Sequence, residues 1–339
     1  MIDLRSDTIT KPTKEMLEAM MSAEVGDDVF GDDPTVNTLQ KKIAEMFGVE
    51  DAIYCPSGTM TNQIAMRIHT RPQDEVICHK YSHVYLYEGG GMMSNSMVSP
   101  KLLDGDRGRI TAEQVADSIN PDDIHFPKSK LVVLENTMNK GGGAIYDIAE
   151  IEKIKKVCDE NDLKLHLDGA RFFNAIVKTD EDPKAYGKLF DTISICFSKG
   201  LGAPVGSVLL GTSEQIKEGR RVRKVFGGGM RQAGYLAGAC IYALDHHVDR
   251  LGEDHQRAQK IGEILSELPF IEEVMPVDTN IVIGRLIDGK SEKWLLDELE
   301  KQGILAVGFG KGLVRFVTHL DFDDEDLDHF TSSIRTIVA

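Results

Sequence analysis

Six short apolar runs, at residues 52–55, 75–78, 131–135, 163–168, 192–197 and 205–211, leave this chain few ways to fold. They are rich in Leu, Ile and Val, and several scarcely alternate with polar residues, so both faces of the sheet they form must be covered. Gly, Pro, Asp or Ser bounds each run, and helical periods fill the spaces between, clearest at 35–47, 61–69 and 148–161. Alternating strand and helix is the pattern of a doubly wound, mainly parallel α/β sheet, in which ligands sit beyond the carboxyl ends of the strands.

The 339 residues exceed one ordinary core and fit a large α/β domain with a smaller companion. A long helical period over 231–268 is expected to bridge the two. After Pro269 the texture changes to strands at 281–285 and 313–318, a helix near 292–302 and a last helix near 323–338, which reads as a small α+β domain. The division expected is residues 1–245 for the large domain and 246–339 for the small one. No internal repeat or Ser-rich linker interrupts the chain. The glycine triplets at 89–91, 141–143 and 227–229 read as tight turns, or as close backbone approach to a ligand or a neighbouring subunit.

The formal net charge of −16 argues against nucleic acid or an anionic membrane as partner. The one strong basic cluster, Arg220, Arg221, Arg223 and Lys224, is read as serving a small anion. Five cysteines without a CxxC pair favour a reducing compartment. The start of the chain lacks a basic, apolar leader, and no stretch approaches the ~18 apolar residues of a spanning helix, so a cytoplasmic location is expected. No metal site is assigned.

Chemistry concentrates at the ends of the apolar runs. Lys199 closes Ser194-Ile195-Cys196-Phe197-Ser198-Lys199-Gly200, and Asp168 closes Leu163-Lys164-Leu165-His166-Leu167-Asp168. A lysine held among small residues at a buried strand end suits condensation with an aldehyde cofactor, and an acid at a second strand end suits a protonated pyridine nitrogen, which together point to pyridoxal 5′-phosphate. Ser57-Gly58-Thr59 ends a strand and opens a helix, where an anion is favoured, making Gly58 and Thr59 the phosphate ligands. His83 follows the strand at 75–78 and can stack on a flat ring. Arg171 can bond the ring hydroxyl or a substrate carboxylate, and Arg315, opposite its apolar neighbours in a strand of the small domain, suggests carboxylate capture. His83, His125 and Glu88 are the candidates for a general base, with His83 first because an unperturbed histidine titrates near 6.5.

Taken together these residues resemble the low-specificity L-threonine aldolases of the aspartate-aminotransferase-like pyridoxal phosphate superfamily. The likeness runs through Asp3-Leu4-Arg5-Ser6-Asp7-Thr8, Gly26-Asp27-Asp28-Val29-Phe30-Gly31-Asp32-Asp33-Pro34-Thr35, the stretches 166–174 and 198–207, Gly227-Gly228-Gly229-Met230-Arg231-Gln232 and the stretch 314–320. The resemblance implies a seven-stranded sheet and an N-terminal arm, about residues 1–20, that reaches the active site. It implies Lys199 as the cofactor-binding lysine, Asp168 at the pyridine nitrogen, His83 on the ring, and Gly58 and Thr59 at the phosphate. Ser6, Arg171 and Arg315 would hold the substrate carboxylate, and Lys224 and Arg231 would reach the phosphate region of a neighbouring subunit in a homotetramer. Met138 stands where many relatives have histidine, and Phe30 where tyrosine is frequent. The implied reaction is cleavage of β-hydroxy-α-amino acids such as L-threonine and L-allo-threonine to glycine and an aldehyde. A β-eliminating lyase or racemase on the same fold, or a non-catalytic cofactor-binding protein, are the competing readings.

Overall fold

The computed structural model describes residues 1–337; Val338, the expected end of the last helix, lies outside them. A two-residue strand β1 (Ile2–Asp3) precedes the central sheet. That sheet contains β2 (Asp51–Cys55), β3 (Glu75–His79), β4 (Ser99–Leu103), β5 (Ser129–Glu135), β6 (Lys164–Gly169), β7 (Thr192–Cys196) and β8 (Ser207–Gly211), in the spatial order β2-β8-β7-β6-β5-β3-β4. All neighbours are parallel except β8, which runs against both β2 and β7. Strands β2, β3, β7 and β8 are buried nearly throughout, as their unbroken apolar runs require.

β4 is the strand that the apolar pattern alone does not reveal. Its sequence Ser-Pro-Lys-Leu-Leu is half exposed, and it lies at the sheet edge beside β3, the place where a strand tolerates proline. The helical stretch 231–268 is also not continuous: it divides into helices Gly234–His246 and Leu251–Ser266. At the break His247 Nδ1 lies 2.7 Å from the Leu201 carbonyl, and Arg250 opens the next helix in an ion pair with Asp254.

Helix boundaries follow local chemistry. In the helix Pro34–Phe47 the Asp33 carboxylate accepts a hydrogen bond from Val36 N at 3.0 Å, proline occupies the first turn and Gly48 closes it at φ 65°. Val36, Leu39, Ile43 and Phe47 form its buried stripe, facing the main core.

A second sheet, ordered β12-β13-β10-β9, is formed by β9 (Ile271–Val274), β10 (Ile281–Leu286), β12 (Val307–Gly310) and β13 (Leu313–Val317), all antiparallel. The intervening β11 (Ile304–Leu305) pairs instead with β1. The N-terminus is therefore a strand of the small sheet region, and Ile2 and Leu4 are buried in its apolar cluster. Glycines 141–143 make close backbone approaches within this chain. A Cβ on Gly143, at φ 72°, would lie 2.3 Å from Thr279 Oγ1.

Candidate active site

Four neighbouring loops at the carboxyl ends of β3, β5, β6 and β7 deliver His83, Asn139, Arg171 and Lys199 to one cavity of about 400 Å³. The N-terminal arm adds Ser6 and Thr8, the helix after β3 adds Tyr87, and the small domain adds Val307, Gly308, Phe309 and Arg315. Another cleft, of about 460 Å³, lies at the opposite, amino ends of the strands, where Lys155 and Asp191 are paired with each other.

Asp168 ends β6 almost fully buried. Its Oδ2 accepts from the Asn62 amide at 2.9 Å, and the other hydrogen of that amide goes to Glu88 Oε1 at 2.8 Å. With both amide hydrogens used, the Asn62 oxygen faces His166 Nε2 at 3.1 Å and accepts from it, while Nδ1 lies 2.9 Å from the Thr192 hydroxyl and 3.1 Å from the Thr192 carbonyl. Burial pushes His166 down to about 4, which keeps this buried ring neutral. The helix Gly58–His69, which packs across the sheet, thus presents Thr61, Asn62 and Gln63 inward as a polar edge beneath the strand ends.

Glu88 is fully buried and triply bonded, by Asn62, by Gln63 at 2.6 Å and by His83 Nδ1 at 3.0 Å. The His83 proton therefore resides on Nδ1, leaving Nε2 as the basic atom. Burial alone would lower the His83 pKa, but the Glu88 bond and the charges of Asp168, Glu88 and Glu135 outweigh it and raise the value. The ligand atoms of His83, Glu88 and Asp168 lie within 4.8 Å of one another, with the Asn62 amide bridging the two carboxylates. Glu135 receives the backbone N–H groups of His83 and Asn139, yet burial and Asp168 push it up to about 7. The strand ends thus hold an excess of negative charge, which a pyridinium N–H would offset.

The opposite wall is basic. Arg171 directs Nε and Nη2 to the Asp7 carboxylate at 2.8 and 2.7 Å, which holds the fully buried Asp7 down to about 2 against the effect of burial. Arg171 is therefore already neutralised, and only its Nη1 edge is left for a ligand. Arg315 is different. It donates to Asn139 Oδ1 and the Arg5 carbonyl, both at 2.8 Å, its buried Nε has no partner, and among the described residues no carboxylate pairs with it. Burial, with the Arg171 charge beside it, lowers its pKa to about 10.

The anion cradle is visible in the backbone. Among the described residues the N–H groups of Gly58 and Thr59 have no acceptor, as expected for the first turn of a helix that faces a ligand. A Cβ on Gly58 would lie 2.5 Å from Cys196 Sγ, so only glycine lets this turn approach β7, three residues before Lys199. Lys199, Asp168 and the Gly58–Thr59 turn lie at the ends of neighbouring elements, an arrangement that fits pyridoxal phosphate.

Three expected residues lie elsewhere in the single chain. His125 is exposed, bonded to Asp123 at 2.6 Å, and does not line the cavity. Lys224 is exposed and Arg231 pairs with Asp27 at 2.7 Å. Within the basic cluster Arg220, Arg221 and Arg223 are already held by Asp51, Glu218 and Asp28. Glu88 touches His83 from beneath and is not in the lining. Phe30 is exposed, whereas Met138 is buried against Gly108. The sequence reading passed over Asp7, Asn62, Gln63, Asn139 and Lys140, and also Glu135 although it ends β5. The signal for two of them was available, since Asn62-Gln63 interrupts the apolar face of the helix that follows the phosphate turn.

The family model described as beta-eliminating lyase matches residues 3–288. A low specificity L-threonine aldolase of Escherichia coli (strain K12) is 44% identical over 340 residues, covering 100% of both chains. A probable low-specificity L-threonine aldolase of Arabidopsis thaliana is 39% identical, with 99% of this chain and 97% of that one covered. Among solved structures, a Leishmania major threonine aldolase superposes with a TM-score of 0.84 over 100% of both chains; at 22% identity that likeness speaks for the fold.

Proposed function

The chain belongs to the beta-eliminating lyase family, and within it to the low-specificity L-threonine aldolases, and from that premise we propose how its cavity works. It is a pyridoxal phosphate-dependent carbon–carbon lyase that cleaves L-threonine, L-allo-threonine and related β-hydroxy-α-amino acids to glycine and an aldehyde. The observation that carries the assignment of the site is Arg315, a buried guanidinium without a carboxylate partner in the same cavity as Lys199.

Lys199 would be the amine that attaches the cofactor, Gly58 and Thr59 would hold its phosphate, and Asp168 would keep its pyridine nitrogen protonated. When bound, the cofactor supplies an electron sink conjugated with the substrate Cα. Arg315 takes the substrate carboxylate, assisted by the free edge of Arg171 and by the Ser6 hydroxyl. This aims the Cα–Cβ bond and leaves the β-hydroxyl to His83, whose Nε2 removes the proton while Glu88 stabilises the imidazolium. The Lys199 amine, in the same cavity, is the group that would return a proton to Cα. His83 also covers the ring face. Glu88 acts through His83 and does not touch the substrate. His125 has no role within the chain that carries it.

We propose that the enzyme is a homotetramer in which Lys224 and Arg231 reach a neighbour's phosphate region, with exposed Phe30 and Val29 at that contact. No helix among the described residues is long and apolar enough to cross a membrane, and the free, buried cysteines support a reducing, cytoplasmic setting.

The test is product analysis. L-threonine and L-allo-threonine are expected to give glycine and acetaldehyde, and Lys199→Ala to lose about a thousandfold or more, ~4 kcal/mol of barrier. A 2-oxo acid and ammonia as main products would replace this reading with β-elimination. Unchanged cleavage by His83→Phe would remove His83 as the base.

A further inference from the structure

The lining of the cavity contains four basic side chains, Lys140, Arg171, Lys199 and Arg315, and no acidic one. Three have partners or tasks. Arg171 is paired with Asp7, Lys199 holds the cofactor and Arg315 meets the substrate carboxylate. Lys140 is left over, and among the described residues no carboxylate lies within ion-pair distance of it.

Lys140 is nevertheless held in place. Its Nζ donates to the Phe309 carbonyl at 3.1 Å and sits 3.7 Å from the centroid of the Phe309 ring, with the Tyr87 ring 6.0 Å away. The carbonyl uses one of three N–H donors, so two remain for a ligand. Aromatic faces hold an ammonium without neutralising it.

Its position identifies the part of the substrate it faces. Arg315 lies 4.7 Å from the same Phe309 ring and is bonded to Asn139, the residue before Lys140, so the two cations have a fixed spacing. Tyr87 connects Lys140 to the other side of the site, its ring 5.7 Å from that of His83. On the retro-aldol reading, with Arg315 on the α-carboxylate and His83 on the β-hydroxyl, Lys140 is joined to the first through Phe309 and to the second through Tyr87, and would face a substituent carried by Cβ, where the methyl group of threonine would offer it nothing.

Resting on the retro-aldol reading, we propose that Lys140 forms a second anion subsite and selects β-hydroxy-α-amino acids that carry a carboxylate beyond Cβ, the simplest being 3-hydroxyaspartate. The atoms balance without a further reagent. The Cα–Cβ bond breaks, the β-hydroxyl loses its proton as its carbon becomes a carbonyl, and Cα gains a proton. The products are glycine and glyoxylate.

The experiment compares wild-type holoenzyme with Lys140→Met on L-3-hydroxyaspartate, L-threonine and L-phenylserine. Binding of L-aspartate and L-alanine, which have no β-hydroxyl to cleave, is followed by the cofactor's absorbance. The hydroxyaspartate-to-threonine ratio of kcat/KM is expected to favour hydroxyaspartate in the wild type and to fall about tenfold or more in the variant, with L-aspartate binding weakened alike. An unchanged ratio, or equal losses on all substrates, would overturn the subsite, the second outcome assigning Lys140 to the α-carboxylate. So would a wild type that prefers phenylserine and is indifferent to Lys140. An enzyme that cleaves none of the three, yet binds L-aspartate through Lys140, would sink the retro-aldol reading and leave the anion subsite standing.

Discussion

His83 and Glu88 form a hydrogen-bonded pair in which the carboxylate is sealed from water and the imidazole faces the cavity. Because Glu88 and its acidic neighbours raise the His83 pKa, a base role requires deprotonation above 6.5, so kcat/KM for threonine should fall as pH drops through a limb lying above that value. Glu88→Gln keeps an acceptor but removes the charge. The limb should then move toward acid, measured in the pH profile of kcat/KM, and a limb that stays put would remove Glu88 from the mechanism. At this scale Lys199, His83 and Arg315 could be picked out from the chain as polar groups at the end of, just after or within an apolar run, and the structure brings all three to one cavity. Asp7, Asn62 and Glu135 were not picked out, since their meaning lies in partners far along the chain, Arg171 for Asp7 and Asp168 for Asn62.

On the proposed reading, the helix Gly58–His69 is the element on which cofactor binding depends. Its first turn offers free N–H groups, its second residue layer holds Asp168 in place, and its approach to β7 is set by the absence of a side chain at Gly58. Gly58→Ala would force its Cβ against Cys196 Sγ and move the turn away from the strand that leads to Lys199. The cofactor's dissociation constant should rise by about tenfold or more while the fold persists, read by absorbance titration of the apoenzyme and by circular dichroism. Elements in which buried stripe and local signals agreed were readable from the chain, as in Pro34–Phe47 with its cap, proline and terminal glycine. β4 was not, because an edge strand need not be apolar, and the break at His247 was not, because it depends on the Leu201 carbonyl of a remote loop.

At the scale of the molecule, the N-terminal arm ties the small C-terminal sheet region to the central sheet. β1 pairs with β11, the Leu4 carbonyl accepts from Val317 N, and Asp7 crosses to Arg171 on the large domain. Asp7→Asn leaves the buried Arg171 charge uncompensated and should cost about 3–5 kcal/mol in urea unfolding. The pH dependence has a definite sign. Asp7 is held at about 2 in the folded protein against an ordinary 3.8, so its contribution is complete above 3.8 and is lost as pH falls toward 2. The difference between wild type and variant should shrink over that interval. A constant difference would mean that Asp7 acts through packing and not through charge.

What the order of residues determined by itself is the alternation of buried strands and helices, and with it the edge of the sheet where loops converge. Periodicity and end signals are local, and the rule that ligands gather at the carboxyl ends of parallel strands follows from the topology they encode. Which side chains at that edge are already neutralised was decided only in three dimensions. Arg171 and Arg315 look alike in the chain, but residue 7 of the arm pairs with one and leaves the other, with Lys140 beside it, charged and unpaired. Ion pairing depends on distances of a few ångströms between residues more than a hundred positions apart, and those distances are set by tertiary packing.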